Sequence, residues 1–301
     1  MRFHRYLLVG LALAAAGSPV VGRPASIAIL DFGSSVTGQR SAGAIQQTLL
    51  AGASAEQIKI VDRDLSAAAA RGFGYSGSLN LTLTDARDLG SAIGCDLFFM
   101  GDAQTLRRLP SEGPVYFESY ATVFLVSART GKLVLWERFA VHRAAATDAE
   151  SALLDLLASR DTRQRYLATI NRVLAEESNA RASAPENPPL IEEASEEDNS
   201  AADGLRLPRP YRRLKPPYPE TAASSEVEAT VDVIVDIDVR GEVGRIEIVR
   251  WAGFGLDQSV IDTVRQLHFV PAMRAGTAIP LRVLLRYNFR KPPVENQKHL
   301  Q

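Results

Sequence analysis

The 301-residue chain is longer than one hydrophobic core usually grows, and its 46% hydrophobic and 23% charged residues give material for two modest cores. A formal net charge of -1 provides no global attraction to nucleic acid or to an anionic membrane, and nucleic acid is not expected as a partner. The single Cys95 excludes an internal disulfide; inside the apolar "CDLFFMGDA" it reads as a small buried hydrophobe.

Residues 1–22 read as a secretory signal peptide. Arg2 and Arg5 precede an apolar run from Tyr6 to Ala16, Gly17-Ser18-Pro19 breaks it, and Val20-Val21-Gly22 offers small residues for cleavage. The run is shorter than the roughly 20 residues a spanning helix needs, so export to the periplasm is expected rather than an inner-membrane anchor. No cysteine follows it, which argues against lipid attachment at this point.

Residues 26–182 pattern as an α/β domain. "SIAILDF" (26–32) and "QIKIVDR" (57–63) are apolar runs separated by a small-residue helical stretch from Gln39 to Ala53, a β-α-β order. "LTDARDLGSAIG" predicts a helix stopped by Gly94 before the strand "CDLFFMGD". Two strands, "VYFESYATVFLVSA" and "KLVLWERFAVH", meet at an Arg129-Thr130-Gly131 hairpin, and leucines at helical spacing from Thr147 to Ala182 predict one or two amphipathic helices. "GFGYSG" (72–77) satisfies Gly-x-Gly-x-x-Gly, but the preceding "LSAAAAR" favours a helix where a dinucleotide site needs a strand, so no cofactor is expected. His4, His142, His268 and His299 stand at no metal-binding spacing, and Asp31, Asp62 and Asp64 read as turn or cap residues; nothing argues for an enzyme.

A linker is expected over 183–214. Its first part is acidic and poor in apolar residues, which predicts disorder. Its second, "RLPRPYRRLKPPYPE", puts Arg206, Arg209, Arg212, Arg213 and Lys215 among five prolines, a stiffer extended spacer with at most weak contact to cell wall or membrane.

The remaining pattern is strand, strand, helix, strand. Val227, Ala229, Val231, Val233, Val235, Ile237 and Val239 alternate, Arg240-Gly241-Glu242 turns the chain, and "VGRIEIVRW" returns. In "GFGLDQSVIDTVRQLHFVPA" the glycines turn the chain out of the strand, and Asp257 is expected to cap the first helical turn. Leu256, Val260, Val264 and Leu267 line one helix side, Pro271 stops the helix and Phe269 plugs the sheet. In the last strand, Leu281, Val283, Leu285, Tyr287 and Phe289 alternate with Arg282, Leu284, Arg286, Asn288 and Arg290, giving one packing face and one cationic face.

"PPYPETA", the Arg-Gly hairpin, "GLDQSVIDTVRQLHFVPA" and "LRVLLRYNF" together resemble the C-terminal domain of the TonB family over residues 215–291, leaving 292–301 as a tail. That resemblance implies a small α+β domain, β-β-α-β, that binds an extended protein segment at an exposed sheet edge. Such a segment would meet Arg282, Leu284, Arg286, Asn288 and Arg290, the arginines favouring acidic side chains; protection of the edge against aggregation is the alternative role for them. "IAILDF", "IVDRD", "GFGYSGSLNLTLTDARDLGSAIGCDLFFMGDA" and the Thr-Gly hairpin resemble the periplasmic α/β domain of CsgG-like envelope proteins, penicillin-binding-protein activators among them, over 26–175. The lipobox cysteine and the long pore hairpins of that group are missing, which speaks against a secretion channel. The expectation is a non-enzymatic periplasmic adaptor. Two readings stay open beside it: an energy transducer anchored in the inner membrane and coupled to outer-membrane transport, and an envelope-assembly or cell-wall-synthesis regulator acting through the N-terminal domain.

Overall fold

The computed structural model describes residues 23–54, 57–110, 113–182, 191 and 204–291. The expected signal peptide, most of the acidic linker and the tail lie outside the described residues. Among those described, no helix is long and apolar enough to cross a membrane.

The N-terminal domain runs β1 (Ala25–Ile29), α1 (Val36–Leu50), β2 (Ile58–Ile60), α2 (Arg63–Phe73), α3 (Leu83–Ile93), β3 (Leu97–Arg108), β4 (Tyr116–Ser127), β5 (Leu133–Arg143), α4 (Ala146–Leu157) and α5 (Arg160–Ala182). Its five-stranded sheet has the order β2-β1-β3-β4-β5, with β1 parallel to both neighbours and β3-β4-β5 an antiparallel meander. The sequence supplies its stops and starts. Ser35 and Thr82 accept hydrogen bonds from the first turns of α1 and α3, while Gly74 and Gly94 end α2 and α3 in the left-handed region. "GFGYSG" accordingly begins inside the last turn of a helix. Cys95 is half-buried, and burial pushes its thiol up to about 12.

Two layers of packing follow from the alternation along β3 and β4. Phe99, Val123 and Leu125 point to a core closed by α1, α4 and α5, where Ile45, Leu153 and Tyr166 are fully buried. Phe98, Met100, Phe124 and Val126 point the other way, toward α3 and the C-terminal domain.

The C-terminal domain comprises β6 (Leu205–Arg206), β7 (Arg209–Pro210), α6 (Glu220–Ser224), β8 (Ala229–Ile237), β9 (Val243–Arg250), α7 (Leu256–Val264), β10 (Phe269–Val270), β11 (Ala272–Arg274), β12 (Thr277–Ile279) and β13 (Leu281–Phe289). Its main sheet has the order β13-β8-β9. The basic, proline-rich stretch expected as a spacer is instead built into this domain: β6 pairs with β11 and β7 with β10. Proline's fixed φ suits a short edge strand, so a composition that argues for a stiff spacer also suits this pairing.

Separate cores were expected, one per domain, and here the structure differs. The apolar face of β8 (Val231, Val233, Val235), α7 and Trp251 merges with Phe98, Phe124 and Val126 of the N-terminal sheet into one cluster. Trp251 is 2% exposed, stacks at 5.8 Å from Phe124, and donates from Nε1 to the Gly131 carbonyl at 2.9 Å. Phe254 lies 5.9 Å from Phe124 and 5.5 Å from Trp136. Asn80 crosses the seam with its amide, donating to the Thr230 and Trp251 carbonyls at 2.8 and 2.6 Å and accepting from the Thr230 N–H at 3.0 Å. The physical reason is coverage. Two helices cannot roof the second face of a five-stranded sheet, and a domain of about 75 residues is marginal alone, so each uses the other's apolar face.

The corner after β9 carries this seam, and Asp257 holds it. Instead of capping the helix that follows, its carboxylate reaches back to accept from the N–H groups of Ala252 and Gly253 at 2.8 and 2.9 Å, while Gly255 caps α7 without a side-chain bond. Gly253 has φ +73°, and a Cβ there would stand 2.7 Å from the Phe124 ring. Burial pushes the Asp257 carboxyl up to about 6 against the opposing pull of those two amides.

Trp251→Ala should cost about 3–5 kcal/mol in urea unfolding and split one transition into two, as the seam loses its central ring. For Asp257 the folded carboxyl holds its proton more tightly than the unfolded one. Its contribution is therefore intact below about pH 4 and lost as pH rises toward 6. The stability difference between the wild type and Asp257→Asn should shift by about 3 kcal/mol across that window, followed by denaturation at each pH.

Candidate functional site

β13 is the candidate edge. It pairs along its whole length with β8, from Leu281 opposite Ile237 to Phe289 opposite Ala229, and no strand among the described residues pairs with its other side. Such a rim offers alternate unpaired N–H and C=O groups to an extended chain. The opposite margin of the sheet is tied up at one end: Arg250 bridges to Thr82, and the Trp251 N–H donates to the Leu81 carbonyl at 3.3 Å.

Side chains alternate about β13 as expected. Leu281 and Phe289 are buried and Val283, Leu285 and Tyr287 half-buried against the shared core, while Arg282, Leu284, Arg286 and Asn288 occupy the other face. The structure corrects the charge expected for that face. Arg282 lies opposite Asp236 and bonds both its carboxylate oxygens, Nε at 2.6 Å and Nη2 at 2.9 Å. Arg286 lies opposite Asp232 in the same fork, at 2.8 and 3.2 Å, and Arg250 of β9 reaches Asp232 from the far side at 3.1 Å. A row Arg286–Asp232–Arg250 thus crosses all three strands. Burial works to raise the Asp232 carboxyl, but the hydrogen bonds from Arg286 and Arg250 outweigh it and hold the group below the usual carboxylate range.

Much of the expected cationic stripe is therefore matched within the sheet. Asn288 receives a hydrogen bond from Thr230 Oγ1 at 2.8 Å, Leu284 is 37% exposed between the two arginines, and Arg290, just past the strand, is exposed without an ion pair among the described residues. Asp232 and Asp236 were visible in "VDVIVDIDV"; what the sequence lacked was the register that sets them against Arg286 and Arg282. No group of three metal-ligating side chains gathers among the described residues.

Residues 215–290 match the family described as Gram-negative bacterial TonB protein C-terminal. Among solved structures, the chain is similar to the TonB C-terminal domain of Pseudomonas aeruginosa, with 21% identity and a TM-score of 0.25, covering 30% of this chain and 90% of that one. The N-terminal region is similar to lipoprotein GNA1162 from Neisseria meningitidis (17% identity, TM-score 0.33, 48% of this chain and 99% of that one). It is also similar to the LpoB C-terminal domain from Salmonella enterica (12% identity, TM-score 0.28, 42% and 88%). No curated protein matches the chain.

The two kinds of arginine should separate on mutation. Arg286→Ser leaves the buried Asp232 with Arg250 alone and should cost about 1–2 kcal/mol of stability, whereas Arg290→Ser should stay within about 0.5 kcal/mol, both read from thermal or urea unfolding.

Proposed function

We propose, with a TonB C-terminal domain at residues 215–290 as the premise, that the chain is a periplasmic adaptor that captures an extended segment of a protein partner by strand addition to β13. The observation that carries this is the rim of β13, nine residues long and paired on one side only among the described residues. Backbone hydrogen bonds supply the affinity in this mode. The face beside the rim supplies selectivity: Leu284 for an apolar side chain, Arg290 for an acidic one. Arg282 and Arg286 act chiefly as girders, since their forks on Asp236 and Asp232 brace the edge strand. Nothing in this mode needs covalent chemistry, and the adaptor is proposed as non-catalytic.

The seam between the domains favours one refinement. The C-terminal domain shares its core with the N-terminal sheet, so the N-terminal domain serves as the rigid mount that aims β13. In that arrangement capture at the edge and docking of the N-terminal domain in the envelope are parts of one task.

Hydrogen exchange on the full chain tests the reading. A partner-like extended peptide alternating valine and glutamate should slow exchange of the outward amides of residues 281–289. Arg290→Ser should weaken that binding by no more than about fivefold, the range of one exposed pair. Protection confined to another segment, or absent at millimolar peptide, removes β13 as the site.

A further inference from the structure

Two sheet margins face each other across the seam. β5 is the last strand of the N-terminal sheet and β9 the last of the small sheet, and among the described residues neither has a strand partner on its outer side. Between them runs a groove of about 440 Å3, a size in the range of binding sites. Its walls are runs of consecutive residues, 133–136 of β5 and 245–248 of β9. A sheet face would contribute every second residue, so the groove is bounded by backbone edges.

The margin of β9 is closed at both ends. Glu242 bridges to His268 at one end and Arg250 to Thr82 at the other, which leaves 243–249 open between two stops, about 20 Å of strand at about 3.3 Å per residue. Trp136, Trp251, Leu83 and Ile261 give the groove an apolar lining. Its charges are matched: Lys132 and Arg245 stand against Glu247 and Asp257. Glu247 takes Arg245 at 2.6 Å and Lys132 at 3.5 Å, while Asp257 is spent on the amides of Ala252 and Gly253. No surplus charge is left to select an ion. The Lys132–Glu247 pair joins the two walls from a largely exposed lysine, and such a pair parts at little cost while Arg245 keeps Glu247.

The backbone edges decide the class of ligand. A lipid chain lying in the groove would cover strand N–H and C=O groups without bonding them, and an amide buried unpaired is costly. An extended peptide brings donors and acceptors of its own along one edge. Its side chains then reach the two tryptophans on one face and the Lys132–Glu247 rim on the other.

We propose that this groove is a second strand-addition site, which takes a short uncharged segment of a protein partner, alternating apolar and small polar residues, as the next strand beside β9 and packed against β5. The site is separate from β13 and stands or falls without it. Because β5 belongs to one domain and β9 to the other, occupancy also holds the two together by mass action.

Both tryptophans of the chain line the groove, which gives it a fluorescence signal. A capped six-residue peptide alternating threonine and valine, added to the full-length chain, should shift that emission and slow hydrogen exchange at 243–249. A Kd of about 5 mM or tighter slows it at least about threefold at about 10 mM peptide. N-methylation of the peptide at alternate amides, in one of its two phases, should weaken binding at least about tenfold, as the bonds to β9 are lost. Gln258→Trp, which fills the groove from an exposed position on α7, should weaken it similarly. No protection of 243–249 at that concentration, or affinity unchanged by N-methylation in both phases, overturns the proposal. Equal protection by octyl glucoside below its micelle concentration assigns the groove to an acyl chain and overturns it too. So does protection already present in the free chain and released by deletion of 185–200, since the chain's own linker then fills the groove.

Discussion

The indole of Trp251 seated against Phe124, with its N–H on the Gly131 carbonyl, is the contact on which the arrangement of this molecule rests. Gly131 serves two partners at once. As the hairpin glycine between β4 and β5 it adopts φ +71°, and a Cβ there would stand 2.0 Å from the Leu83 carbonyl oxygen, so no other residue lets the hairpin lie so close to α3. Its carbonyl, turned outward by that conformation, is then the acceptor that receives the tryptophan. Because this anchor sits at the β9 end of the small sheet, β13 is left as the margin farthest from the seam in strand order.

Local rules reach a long way in this chain. The helix stop at Gly94, the β4–β5 hairpin and the alternation of β8 all follow from residue type and spacing. Contacts between distant parts were not legible. Nothing local says that Trp251 completes the core of another domain, since a tryptophan at a strand end suits an interface and an ordinary core equally. The backward reach of Asp257 was hidden for a related reason: an acidic residue in a first helical turn suits the helix dipole, and only the corner geometry shows that its acceptors are spent on Ala252 and Gly253.

The candidate edge shows the same division. Which residues share a face of β13 was readable from the period of two, and Arg282, Leu284, Arg286 and Asn288 do lie on one face, with Arg290 just past the strand. What that face presents was not, because it depends on a nine-residue register between strands more than forty positions apart. In register, aspartates meet arginines and the stripe becomes a lattice of forks with one exposed leucine and one cation at its end. An edge strand held by side-chain forks on its inner neighbour can keep its shape while its outer backbone stays open. That serves either capture of a partner or resistance to random association.

The pairing of β6 and β7 with β11 and β10 also shortens the tether between the domains. The two bodies are joined covalently only through the sequence between Ala182 and Leu205, since β6 and β7 already belong to the second domain. Separation of the two bodies is therefore a ring-opening on one chain rather than a parting of two molecules, and its equilibrium depends on tether length only logarithmically, about 0.6 kcal/mol for each doubling.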